Sequence, residues 1–265
     1  MPARRFPLIR SRGIRTGFTL IEVMVVLVIL AVLASGLAVP LAVQVQLRRQ
    51  EEARRQLDEA KEALLGFAAT QGRLPCPAAE RSNGVESFAA GGDASNGNCS
   101  HFYDGFLPAA TLGLAPLDAE GFARDPWQGP RNRIRYAVFG GGVAINGVAN
   151  ALTRTNGMQS ATLPALGDAA HYLFICSTGA AATASGCGPA ANQLTRRAAF
   201  VLLSLGANGA ALPPPGSDEA RNLAGNPVFV HREASMADAS EFDDIVRWVP
   251  VHLVVNRLIV AGRLP

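Results

Sequence analysis

The stretch Arg15-Thr16-Gly17-Phe18-Thr19-Leu20-Ile21-Glu22, followed without a break by the apolar residues Val23 to Leu33, decides the fold. From Phe18 to Val43, 26 residues, the one charged side chain is Glu22. A helix of about 20 apolar residues crosses a bilayer core, so this run predicts a membrane-spanning helix. Arg4, Arg5, Arg10, Arg12 and Arg15 precede it, and the next charge beyond it is Arg48. That asymmetry predicts a cytoplasmic N-terminus and export of everything after the span. A carboxylate within such a run costs roughly 2.5 to 3.5 kcal/mol on insertion, so Glu22 needs a reason.

Composition supports an anchored chain. Of 265 residues, 49% are hydrophobic and 17% charged, too apolar for a disordered tail. The formal charge of +3 resides in the N-terminal arginines, since the residues after Gly17 hold 19 basic against 21 acidic side chains. A general nucleic-acid-binding surface is therefore disfavoured for the body of the chain.

Two ordinary processing signals compete for this N-terminus. A secretory signal would be cut near Ala34-Ser35-Gly36-Leu37-Ala38, and a twin-arginine signal would begin at Arg4-Arg5. Neither gives Glu22 a purpose. The string Gly17-Phe18-Thr19-Leu20-Ile21-Glu22 before the apolar run strongly resembles the cleavage and methylation site of type IV prepilins and type II secretion pseudopilins. The resemblance implies a leader of residues 1–17 removed after Gly17 by a prepilin peptidase, with Phe18 becoming the N-methylated first residue. It also implies a retained span (18–43), an amphipathic continuation (44–70) and a periplasmic or extracellular head (71–265). Glu22 becomes the fifth mature residue, and a buried carboxylate is tolerable beside the new cationic amine of Phe18 of a neighbouring subunit. Partners implied are the peptidase, other pilin or pseudopilin subunits and the inner-membrane assembly platform.

Beyond the span the helix should continue to about Thr70, softened at Pro40, which lacks an amide donor and clashes with the preceding turn. Ala53, Leu57, Ala60, Leu64 and Phe67 form an apolar stripe. Arg48 with Glu52, Glu51 with Arg55, Arg54 with Asp58 and Arg55 with Glu59 are spaced to pair on the solvated faces. Gly72 and Pro75 end the helix, and residues 71–130 then carry 9 glycines and 6 prolines. Four cysteines in an exported domain read as disulfides. Of three pairings, Cys76 with Cys99 and Cys176 with Cys187 close the short loops. A zinc site using Cys99 and His101 is the rival, without a Cys-x-x-Cys pair to support it.

Short runs rich in β-branched and aromatic residues follow: 134–139, 171–176, 199–205, 228–231 and 245–249. They predict an antiparallel sheet, closed by a helix with a stripe at Val251, Val254, Val255, Leu258 and Ile259. The fold class expected is α+β, a long N-terminal helix on an antiparallel, pilin-like head.

Asp125-Pro126-Trp127, Ser204-Leu205-Gly206-Ala207-Asn208-Gly209 and Asp243-Asp244-Ile245-Val246-Arg247-Trp248 look like parts of a major-pseudopilin head, whose acidic loops bind calcium. The resemblance implies Asn208, Asp243 and Asp244 as calcium ligands, with Asp218 or Glu219 as helpers. Asn208 stands where an aspartate is expected, Gln128 where a glycine is, and Pro213-Pro214-Pro215 lengthens the loop. The alternative is that Asn208-Gly209 is a turn and the aspartates cap a strand end.

No nucleophile elbow, zinc-helix motif or Walker loop occurs, and the four histidines are scattered. Gly140-Gly141-Gly142 reads as a hairpin turn or bulge. Arg131, Arg133 and Arg135 alternate on one face, either solvated or, in a competence pilin, toward DNA. The reading is a non-enzymatic minor subunit of a pilus or secretion filament, its mature chain of 248 residues being large for a bulk pilin. A signal-anchored adhesion module and an exported enzyme are the readings from other classes.

Overall fold

The computed structural model describes residues 17–129, 131–235 and 241–264, with the side chains of residues 34–42 outside that set. The leader therefore lies outside the described residues except for Gly17. The architecture is α+β, a long N-terminal helix followed by a curled, mostly antiparallel sheet, consistent with a pilin-like fold. The chain divides into two compact units at Arg48/Arg49.

Helix α1 (Leu20–Gln71) runs through both units by sequence. In the first unit its apolar side chains face outward on every side, from Leu20 at 85% exposure to Leu33 at 58%. Such a surface is meant to be covered by lipid or protein. Among the described residues no helix is long and apolar enough to cross a membrane. Nine residues of the expected span, 34–42, have side chains outside the described set, and they interrupt the run. The backbone is helical on both sides of Pro40.

In the second unit α1 turns amphipathic, and its stripe forms the floor of the core. Ala53, Leu57, Ala60 and Leu64 are buried as the periodicity predicts, and the buried face continues through Leu65 and Ala68. Phe67 is half-buried, because Arg73 stacks on its ring at 5.2 Å. Of the four expected ion pairs on α1, Arg55–Glu59 forms, at 3.7 Å. Arg55 also takes Glu52 one turn back at 3.0 Å, while Asp58 is drawn instead to Lys61 and Arg247. Gly72 ends the helix in the left-handed region at φ +69°, its N–H bonded to the Ala68 carbonyl. Arg263 donates to the last carbonyls, Ala69 and Thr70.

The loop-rich segment is fixed by covalent and ionic ties. Cys76 is bonded to Cys99, and Cys176 to Cys187, so no thiol among the four remains to bind zinc. Each bridge stabilises by about 2 to 4 kcal/mol on a chain-entropy argument. Beside the first bridge Arg73, 6% exposed, holds Glu86 through two bonds of 2.8 and 2.7 Å. The Cys76 N–H donates to the same carboxylate. A buried pair of this kind is tolerable because its lone pairs are filled.

The sheet is built from β1 (Gly105–Phe106), β2 (Arg135–Val138), β5 (Leu173–Cys176), β6 (Gln193–Ser204), β7 (Val228–Val230) and β8 (Ile245–Pro250). Strand β6, 12 residues long, is the hub and pairs with β2, β5 and β8. One pairing corrects the sequence expectation: β5 and β7 run parallel, because the connection through β6 and α5 (Asp218–Asn222) returns the chain in the same direction. Strands β3 (Ala144–Ile145) and β4 (Val148–Ala149) form a separate hairpin. Its turn is Asn146-Gly147, both at positive φ as a tight hairpin requires. Three short helices, α2 (Ala109–Leu112), α3 (Gly157–Ala161) and α4 (Leu163–Asp168), sit in the connections. Helix α6 (Val251–Val260) closes the core with Val251, Val254 and Leu258 buried, and Arg257 reaches Glu62 of α1 at 2.8 Å.

Leu64→Ala should lower unfolding stability by about 2 to 5 kcal/mol, measured by denaturant titration of the detergent-solubilised chain. Loss of less than about 1 kcal/mol would mean that the stripe of α1 is not a core element.

Candidate functional site

The head's candidate site is assembled by four segments: the turn at Asp125, the loop after β6, α5 and the acidic run before β8. The turn starting at Asp125 lies against the end of β6: Ser204 Oγ donates to Asp125 Oδ2 at 2.6 Å, and Asn132 Nδ2 donates to the same oxygen at 3.0 Å. Asn132 Nδ2 also donates to the Gly206 carbonyl at 2.7 Å. This buried bracket fixes the loop after β6, and burial pushes the Asp125 carboxyl up against the opposing hydrogen bonds. Gly206, at φ +65°, leaves no room for a side chain, because a Cβ there would lie 2.3 Å from Asp243 Oδ1.

That loop meets the acidic segment before β8. Asp243 Oδ2 accepts from the backbone N–H groups of Ala207 and Asn208 at 2.6 and 3.1 Å. Asp243 Oδ1 is buried and has no hydrogen-bond partner. Asp244 Oδ2 accepts from Asn222 Nδ2 at 2.7 Å, and Asn222 in turn bonds both backbone groups of Val230 on β7. Glu219, from α5, accepts from the Asp243 N–H at 2.9 Å and from Asn208 Nδ2 at both oxygens. Carboxylate oxygens of Glu219, Asp243 and Asp244 lie within 4.8 Å of one another, and all three residues are buried.

Three buried carboxylates so close resist ionising together. Burial raises the Asp243 carboxyl to about 6, with the charges of Glu219 and Glu241 pushing the same way against the hydrogen bonds from Asn208 and Ala207. Asp244 is raised well above the carboxylate range by burial, then by Glu219 and Asp243, with Asn222 and Arg135 opposing. Such a cluster either shares protons or holds a cation, and the orphan Asp243 Oδ1 fits a hard cation that takes oxygen ligands. Glu219, Asp243 and Asp244 would supply carboxylates to calcium, and Asn208 its amide oxygen after rotation of a group whose nitrogen and oxygen are nearly interchangeable in shape.

The structure brings together Asn208, Asp243 and Asp244 with Glu219, one of the two expected helpers. Asp218 is not part of the cluster, because it accepts from Gly179 N–H and from Arg232 on the other side of α5. The supporting role of Asn222 escaped the sequence reading; no motif marks it.

At the N-terminus, Thr19 and Glu22 form a capping box. Glu22 N–H donates to Thr19 Oγ1 at 3.3 Å, and Thr19 N–H donates to Glu22 Oε2 at 3.2 Å. Phe18 is 87% exposed next to this cap, and Gly17 has open space where a side chain would begin. The spacing Thr19-x-x-Glu22 was a readable signal for it. Gly17 and Phe18 lie just before the helix, and both are exposed.

Residues 14–38 match the family described as the Prokaryotic N-terminal methylation motif. No curated protein and no solved structure matches the chain.

The proton and the cation compete at one cluster, which fixes a sign. The folded Asp243 carboxyl, at about 6 against an ordinary 3.8, binds its proton more tightly than the unfolded chain does. Stability of the cation-free head should therefore fall as pH rises from about 4 to about 6 and stay low above that. Calcium should raise the melting temperature by several degrees at pH 7.5 and by less at pH 5, and Asp243→Asn should remove the difference. Identical melting curves with and without calcium at pH 7.5 would leave the cluster as a proton-sharing strand cap.

Proposed function

We propose that this chain, whose residues 14–38 carry the methylation motif of type IV pilin-like proteins and pseudopilins, is a structural subunit of a pilus or secretion filament. In this reading a prepilin peptidase cuts after Gly17, and the retained helix anchors the precursor in the inner membrane with the head outside. The subunit then moves from the membrane into the filament through the same helix. The observation that carries the reading is the motif set directly before an apolar helix whose side chains are exposed all round. A surface of that kind exchanges lipid for neighbouring helices at little cost in apolar burial, since lipid tails and packed side chains are similarly apolar.

Glu22 has a place in both states. Before assembly its carboxylate is held by Thr19, which lowers the cost of keeping it at the membrane edge. After cleavage, the amine of a neighbouring Phe18 supplies a charge to pair with it, which sets axial register. The head's calcium cluster, in this reading, stiffens the loop after β6 on the filament surface. A minor position fits the size of the mature chain, and the retained Glu22 sets it apart from tip-most pseudopilins, which resemble this family but lack that carboxylate.

Glu22→Ala separates a filament subunit from a lone anchored module. The variant should still be cut at Gly17 and inserted, yet its recovery in sheared filaments or in subunit cross-links should fall at least about tenfold, the loss of a buried charge pair being worth several kcal/mol. Unchanged assembly would contradict the filament reading and favour an adhesion or binding module on a simple anchor.

A further inference from the structure

The second disulfide belongs to a small core of its own. Cys176, at the end of β5, and Cys187 are 0% and 3% exposed, and they cluster with Phe174, Val230 and Phe242 apart from the main core. The loop that they close, residues 177–186, is tied to each carboxylate of the acidic cluster by a separate route. Phe242 is buried in the core of the bridge and is the residue before Asp243. Gly179 of the loop donates its N–H to Asp218 Oδ1 at 2.6 Å, and Asp218 is the residue before Glu219. Cys176 is the register partner of Val230 on β7, and Asn222, which bonds both backbone groups of Val230, donates to Asp244 at 2.7 Å. The Cys76–Cys99 bridge lies instead beside Glu86, whose charge Arg73 meets.

Glu219, Asp243 and Asp244 can serve one cation only while their oxygens stay within 4.8 Å, and without it like charges push them apart. Asp243 Oδ1, on a residue 7% exposed, has no hydrogen-bond partner and marks a place for the ion. A closed loop removes the freedom by which Phe242, α5 and β7 would part. We propose, on the reading of this cluster as a calcium site, that the Cys176–Cys187 disulfide is a redox control on cation binding. Oxidised, the loop holds the three carboxylates together; reduced, it releases them.

Reduction takes a dithiol. One of its thiolates attacks a sulfur of the bridge, the S–S bond breaks through a mixed disulfide, and the second thiol resolves that intermediate. The dithiol thereby loses two electrons and two protons, which Cys176 and Cys187 gain as thiols. Both sulfurs are buried, so the reductant reaches them when the loop opens. Linkage acts in both directions: a bridge that favours the cation is protected by the cation through the same factor.

The test uses the detergent-solubilised full chain and calcium alone. In equilibrium dialysis the Cys176→Ser, Cys187→Ser variant should bind calcium about tenfold more weakly than the oxidised chain, and the Cys76→Ser, Cys99→Ser variant within about twofold of it. Loss of a bridge can unfold a head, so the unaltered chain supplies the second readout. Equilibrated in dithiothreitol redox buffers, alkylated and mapped by peptide mass, it should need a buffer about tenfold more reducing to open half of Cys176–Cys187 when calcium is saturating, with Cys76–Cys99 unmoved. Calcium that binds yet leaves Cys176–Cys187 as reducible as before, protection of both bridges alike, or equal weakening in both variants would overturn the coupling and leave the cation site standing. No calcium uptake by the oxidised chain would overturn both.

Discussion

Burial of one face of α1 is the constraint on which the head depends. Leu57, Leu64 and Ala68 offer a narrow apolar stripe, and everything after Gly72 is arranged to cover it. Strand β6 runs through the same core, with seven successive residues from Ala198 to Ser204 buried. A strand buried on both faces reads as a continuous apolar run, as this one does. Helix α6 then returns the C-terminus to α1, where Arg257 and Arg263 bind its side and its end. The long loops between these elements have too few apolar residues to hold themselves, so a disulfide and the Arg73–Glu86 pair do it.

The acidic cluster depends on the same frame at one remove. Asp125 and Asn132 hold the loop after β6, and Asn222 ties Asp244 to β7. Phe242, immediately before Asp243, is fully buried in a small second core with Cys176, Cys187, Val228 and Val230. The carboxylates are thus held in place by packing on three sides and are not free to separate, which is why their charge must be met by a proton or a cation.

The parts legible in sequence were those with strong periodicity or strong local chemistry. The helix and its Gly72 stop, the closing stripe of α6 and the principal strand positions follow from spacing, and the N-terminal motif follows from a short string. The parallel β5–β7 pair was not legible, because a three-residue strand carries no mark of direction. Phe67 and Ala68 both suit a helix face; the cation stacking of Arg73 on Phe67 decided between them and is a tertiary fact. Glu219 joined the site and Asp218 did not, although they are adjacent, because successive residues of a helix point about 100° apart.

The most direct test of a filament subunit is the intact mass and N-terminal fragmentation of the chain extracted from cells that hold a prepilin peptidase. A mature chain that begins at N-methylated Phe18, with all four cysteines oxidised, is the predicted result. An intact leader, or a new N-terminus beyond Ala34, would contradict it.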